Sequence, residues 1–374
     1  RVRVKVIWPL KFVYDMSEGG ATGVLAAMKG QWASMTGMAF MFVSTILIGL
    51  SVQPIYNIPE ARAFGEEGAS KGAFVALELA MIGIFTIVII WLARRGLDFF
   101  IKAIVLFALW MSLFYALQPY VALILYFLGL DTVYVVVLLS IVISSGSIYL
   151  LHIFPEWYVV NGVGIMVGAG VITLIGVSFV PVLIIGFMIA AAIYDYWAVN
   201  GSKHMLELAD TMIDLKLPVL LVAPKNADYS FIEEDDSVMR DKEIGVTKMD
   251  WNDPVPHIKK EGGPTKGRDA LFMGLGDVIF PGMLVISSVS FLPQTGGEVT
   301  YFSAFGVMYA DSLTVAMGTL FGGLLGYFAL MTQVARGKPQ AGLPLLNGGS
   351  ILGYLVSGYF ALGIGNLWQD ITFF

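Results

Sequence analysis

Two aspartates stand in stretches that otherwise suit lipid: Asp195 in "AAIYDYWAV" and Asp277 in "LFMGLGDVIFPG". A carboxylate at mid-membrane costs a few kcal/mol on insertion scales, and more than ~10 kcal/mol by other estimates. Residues that expensive are read first as functional. Two carboxylates at similar depth, on helices joined by one loop, can face each other. A few ångströms apart they do not both ionise easily, so they share a proton. Such a pair can hold a water, deprotonate it as it attacks an amide carbonyl, and protonate the leaving nitrogen. That chemistry needs no metal and no cofactor. Gly274 and Gly276, lacking side chains, allow another backbone to approach Asp277. Alone, the GxGD pattern over Gly274, Leu275, Gly276 and Asp277 is weak in a chain with 42 glycines, and simple helix packing explains it too. Glu78 is the third deep acid. It has no evident partner and reads as a lone membrane acid, a cap or a proton site. Lys102, His152, Asp311 and Asp370 fall near span ends, where they can snorkel or cap.

The elements that must position these acids are membrane spans. The chain of 374 residues is 57% hydrophobic and only 13% charged, against about 25% charged in soluble domains. It reads as an all-α polytopic membrane protein. The absence of cysteine excludes disulfides and thiolate metal sites, and the three histidines are scattered. A net charge of −6 and a pI near 5.1 argue against nucleic acid as a partner. Apolar stretches of spanning length, roughly 20 residues, fall at 34–56, 73–93, 98–128, 131–153, 157–176, 179–200, 270–292, 308–332 and 342–364. That predicts about nine transmembrane helices, the third of them long enough to tilt or break near Pro119. Residues 34–216 then hold spans one to six and 269–374 spans seven to nine.

On an alternating path, the basic residues Arg94, Arg95, Arg336, Lys338 and those from Lys203 to Arg268 share one face with the N-terminus. Only Arg62 and Lys71, of 22 Lys and Arg, fall in a loop on the other. The positive-inside rule then places the N-terminus in the cytoplasm and the C-terminus outside. Residues 1–33 open with "RVRVKV", which reads as a strand or a membrane-surface segment, and they are not expected to act as a cleavable signal peptide of ordinary form. Residues 217–268 form a cytoplasmic insert, expected to be partly mobile. It begins with the short apolar run "LPVLLVAPK", which suggests a strand.

At this point the motifs form a series. "YD" at Tyr194-Asp195, "GLGD" at 274–277 and "QAGLPLLNGG" at 340–349 occur in order on late spans. With "PEWYVV" at 155–160, "SKHMLELAD" at 202–210 and "PKNADYSF" at 224–231, they resemble the presenilin and signal peptide peptidase family of intramembrane aspartyl proteases, most of all its archaeal members. The resemblance runs from about Gly83 to the C-terminus. It implies a nine-span fold in an archaeal plasma membrane, Asp195 and Asp277 as the catalytic pair, and Tyr194, Gly274, Leu275 and Gly276 as motif neighbours. It also implies transmembrane peptide substrates reached from membrane lipid. The family's third motif is Pro-Ala-Leu; here the aligned residues are Ala341, Gly342 and Leu343, followed by Pro344. Leu343 and Pro344 are expected near the aspartates as substrate-binding residues. Presenilin works in a larger complex after cutting its own loop; nothing in this sequence calls for protein partners or self-cleavage.

Other functions fit some of these residues. A proton- or cation-coupled transporter or channel also uses intramembrane acids and glycine-broken helices, although no inverted repeat is evident. A prepilin-peptidase type of protease shares GxGD but lacks the YD and "AGLP" arrangement. A non-catalytic scaffold could retain the motifs. For the protease, a helical substrate must expose its amides, which in lipid costs several kcal/mol per unsatisfied group. The run Val219, Leu220, Leu221 and Val222 is expected to offer replacement bonds by strand addition, as presenilin does in a hybrid sheet. The alternative is an apolar turn packed on span seven.

Overall fold

In the computed structural model the chain is a helical bundle with two small β-pairs. The structure describes residues 20–63, 65, 69–130, 132–198, 220–225, 229–230, 270–300, 306–334 and 341–372. The helices are α1 (Gly20–Tyr56), α2 (Gly72–Arg94), α3 (Asp98–Phe127), α4 (Val133–Ile153), α5 (Trp157–Gly176), α6 (Pro181–Trp197), α7 (Leu275–Phe291), α8 (Ala310–Val334) and α9 (Leu343–Ala361). Strands β1 (Leu220–Pro224) and β2 (Ala270–Gly274) pair antiparallel in the insert, and β3 (Glu298–Val299) pairs with β4 (Met308–Tyr309) between α7 and α8.

Among the described residues nine α-helices stand where nine spans were expected, and six of them are long and apolar enough to cross a membrane. The two that carry the aspartates, α6 and α7, are shorter, at 17 residues each. At about 1.5 Å per residue each covers about 25 Å, less than a hydrocarbon core of about 30 Å.

Three expectations are corrected. Helix α1 begins at Gly20, ahead of the expected span start at 34, while its candidate span begins at Gln31; "RVRVKV" lies outside the described residues. Of the two outcomes expected for the third span, tilt or break, the break is absent: helix α3 runs through Pro119 over 30 residues, since neighbouring helices can compensate the lost bond of a buried proline. The seventh span does not start at 270: residues 270–274 are strand, because their amides pair with β1, and the helix starts only at Leu275. The later, charged part of the insert, Pro218, Val219 and the polar continuation of the sixth span lie outside the described residues.

Helix α7 sits centrally and packs against α1, α5, α6, α8 and α9. Helix α5 approaches it closely: a side chain at Gly282 of α7 would collide with Ile172, 2.6 Å away. Helices α8 and α9 form the most extensive helix pair, because Gly322 and Gly326 meet the backbone of α9 around Gly349 and Gly353, and Gly318 meets the Ser357 side chain. By contrast α2 is largely exposed along its length, as expected of a lipid-facing helix. Its first residues are tied to the rest of the bundle: the Val180 amide, ahead of α6, donates to the Ala69 carbonyl, and Thr372 exchanges hydrogen bonds with Ser70 and Gly72.

Candidate active site

Asp195 lies near the end of α6. Its neighbours Tyr194, Tyr196 and Trp197 are exposed, whereas Asp195 is 7% exposed. The helix therefore turns this one carboxylate into the bundle and leaves an aromatic face outside, where the Tyr194 and Trp197 rings meet at a tilt, 6.3 Å between centroids.

Asp277 is the third residue of α7, half-buried, and Gly274 is the helix N-cap. Its carboxylate reaches back to the Gly274 backbone amide and interacts electrostatically with Asp195. The reach is that of the acidic partner in a capping box, and a carboxylate in the first turn also meets the positive end of the helix dipole. Leu275 anchors this turn, since it is buried and packs on Gly168 of α5.

The third element is the start of α9. The Leu343 amide donates to Asp195 Oδ2 at 3.2 Å. A methyl group built on the preceding residue, Gly342, would lie 3.0 and 3.1 Å from the two carboxylate oxygens of Asp277. Consecutive residues of one helix N-terminus thus touch both acids. Pro344 sits in the first turn of α9, where a missing amide costs nothing and the fixed φ suits the helix. The backbone that approaches Asp277 closely is therefore that of Gly342. Gly274 leaves 3.6 Å between its own Cβ position and Asp277, and Gly276 meets nothing within 4 Å among the described residues. Ala341 and Gly342 are the two residues that depart from Pro-Ala-Leu, and a methyl at Gly342 would oblige Asp277 or α9 to give by a few tenths of an ångström.

Two buried asparagines were not singled out in the sequence. Asn347, one turn into α9 from Leu343, donates from Nδ2 to the Met188 carbonyl of α6 at 2.9 Å, while its Oδ1 has no partner among the described residues. Asn161 of α5 bonds to both backbone groups of Val222 in β1. Their only sequence signal is an amide inside an apolar span. Two of the shared-looking stretches also meet: Ser230 donates to Glu156 at 2.6 Å.

The sheet leads into the site. In the β1–β2 register Leu220 faces Gly274 and Val222 faces Phe272, so β2 ends where the GLGD turn begins. The far edge of β1 is occupied. Asn161 takes Val222, and Ser34 of α1 donates to the Pro224 carbonyl at 2.9 Å on the same edge. Among the described residues no three acids or histidines gather as a metal site.

Two carboxylates, one near the end of α6 and one in the first turn of α7, meet the start of α9 inside an apolar bundle. The model of the family described as "Signal-peptide peptidase, presenilin aspartyl protease" matches residues 38–364, and the chain belongs to that family. The match starts well before Gly83, where the motif resemblance begins. Two solved structures of a presenilin family intramembrane aspartate protease, in C222 and P2 space groups, are similar to it at 25% and 26% identity. Each has a TM-score of 0.54 and covers 88% of this chain and 100% of that one. No curated protein matches the sequence. The protein is an intramembrane aspartyl protease.

Proposed function

We propose that Asp195 and Asp277 are the catalytic pair and that the substrates are single-span transmembrane peptides. The observation that carries this reading is the start of α9 touching both acids, Leu343 at Asp195 and Gly342 at Asp277. One carboxyl group keeps the shared proton and polarises the scissile carbonyl; the other, ionised, takes a proton from the attacking water. The tetrahedral intermediate then collapses as the leaving nitrogen is protonated. Leu343 and Pro344 border the substrate channel, and Gly276 leaves room for it beside Asp277.

The substrate segment needs partners for its freed amides. The run 219–222 was expected to supply them, but on the outer edge of β1 Val222 is taken by Asn161 and Pro224 by Ser34. Addition on the β2 side is the better reading, because β2 continues directly into Gly274 and Asp277. The charge bias of the loops supports a cytoplasmic N-terminus, an outer C-terminus and an insert on the cytoplasmic face. The motif set supports an archaeal plasma membrane.

A hydroxyethylene peptide, which mimics the tetrahedral intermediate, tests the site. It should inhibit cleavage of a labelled single-span peptide and should crosslink to a photoreactive residue replacing Leu343. Absence of inhibition, or a crosslink that the unlabelled inhibitor does not compete away, would contradict the reading.

A further inference from the structure

In the sheet that precedes α7, one side chain holds both backbone groups of one residue. Asn161 Nδ2 donates to the Val222 carbonyl at 2.7 Å, and its Oδ1 accepts the Val222 amide at 2.8 Å. Asn161 is 6% exposed. A primary amide presents a donor and an acceptor side by side, as a strand residue does. Asn161 therefore acts as a one-residue strand on the outer edge of β1. Serine or threonine, with a single oxygen, cannot make both bonds at once in this geometry.

The parity of the ladder follows. In an antiparallel pair, alternate residues turn both backbone groups toward the partner strand or away from it. Val222 turns away from β2, toward α5, so Leu221 and Ala223 turn toward β2. Pro224 has the parity of Val222, and its carbonyl is taken on the same side by Ser34. A slip of β1 by one residue would present Leu221 or Ala223 to Asn161, whose backbone groups belong to the ladder with β2. The double bond thus fixes where β1 lies along its own axis. The register fixes β2 against β1, and β2 ends at Gly274, three residues before Asp277.

We infer that Asn161 is a positioning residue that sets which peptide bond of the substrate meets the aspartates. It blocks strand addition at the outer edge of β1 and holds the β1–β2 sheet at a fixed offset from Asp277. A substrate strand laid on the sheet inherits that offset. This inference rests on the proposed addition of substrate beside β2. Asn161 touches neither acid in this scheme; it acts through β1.

The test compares the full-length protein with Asn161→Leu, which keeps size and apolar fit, and with Val222→Pro. The proline removes the same amide from the strand side and leaves the ladder amides of Leu221 and Ala223 in place. Two substrates are used: a labelled single-span peptide and a short extended peptide spanning the same bond. Product ends are read by mass spectrometry. Both variants should spread or shift the cut in the single-span peptide by at least one bond, with kcat/KM down about tenfold. The short peptide should be cut at the same bond, within about threefold of the unaltered rate. Unchanged product ends on the single-span peptide, or equal loss on both substrates, would overturn the inference.

Amide hydrogen exchange over 220–224 reads the clamp without activity. Faster exchange in Asn161→Leu is expected, and unchanged exchange would also overturn it. The proposed catalysis fails separately, if Asp195→Asn or Asp277→Asn still cuts either peptide.

Discussion

Replacing Gly342 by alanine should slow the chemical step without weakening substrate binding. The new methyl would lie 3.0 and 3.1 Å from the Asp277 oxygens and 3.2 Å from Cγ. Ordinary contact begins near 3.4 Å, so something must yield by about 0.3–0.4 Å. If α9 retreats by that amount, the Leu343–Asp195 bond stretches from 3.2 Å to about 3.6 Å, where it is no longer a hydrogen bond. If Asp277 moves instead, it leaves the position set by the Gly274 amide and the first turn of α7. A hydrogen bond to a charged group is worth about 1.5–3 kcal/mol, which converts to a loss of about 10- to 100-fold in kcat. The assay is steady-state cleavage of a labelled single-span peptide, with rates normalised to folded, monodisperse enzyme. Gly274→Ala is the control, since its methyl would stand at an ordinary 3.6 Å from Asp277; its kcat should stay within about threefold. A Gly342→Ala enzyme with unchanged kcat, or an equal loss in Gly274→Ala, would refute the reasoning.

Other outcomes follow from the same geometry. Gly276→Val adds bulk where the described residues leave space, so KM for the single-span peptide should rise several-fold more than kcat falls. Asn347→Leu removes the bond to Met188 and an unpaired buried oxygen together; thermal stability should change by less than about 1 kcal/mol, while kcat falls. Gly322→Val drives a side chain into the Gly349 carbonyl and the Gly353 backbone. Overpacking of this kind costs about 1–3 kcal/mol, so the midpoint of thermal unfolding should drop by several degrees, with activity lost in parallel because α9 carries Gly342 and Leu343.

Asp195 and Asp277 stood out in the sequence because a carboxylate in an apolar span is costly and because each lies in a motif, YD or GLGD, that Glu78 lacks. The spans were legible because length and apolarity suffice to define them. The strand at 270–274 was not, since "ALFMG" continues the apolar run of span seven and periodicity cannot separate a short buried strand from a helix. The start of α1 was missed because "GATGVLAAMKGQW" is too mixed to extend a hydropathy window. Asn161 and Asn347 were missed for another reason. Their meaning depends on Val222 and Met188, which are 61 and 159 residues away in sequence. Gly342 was noticed only as a departure from a motif; its contact with Asp277 exists only once α7 and α9 are packed.

The most direct test of the central claim is cleavage of a labelled single-span peptide by Asp195→Asn and Asp277→Asn, each isosteric with the native residue, beside the unaltered enzyme and Glu78→Gln. The unaltered enzyme should show a bell-shaped pH profile, because one acid must hold a proton while the other is ionised. Glu78→Gln should keep that profile. Both Asn variants should fold, purify as the native protein does, and show no turnover at any pH. Substantial cleavage by either single Asn variant would contradict the assignment of Asp195 and Asp277 as the catalytic pair.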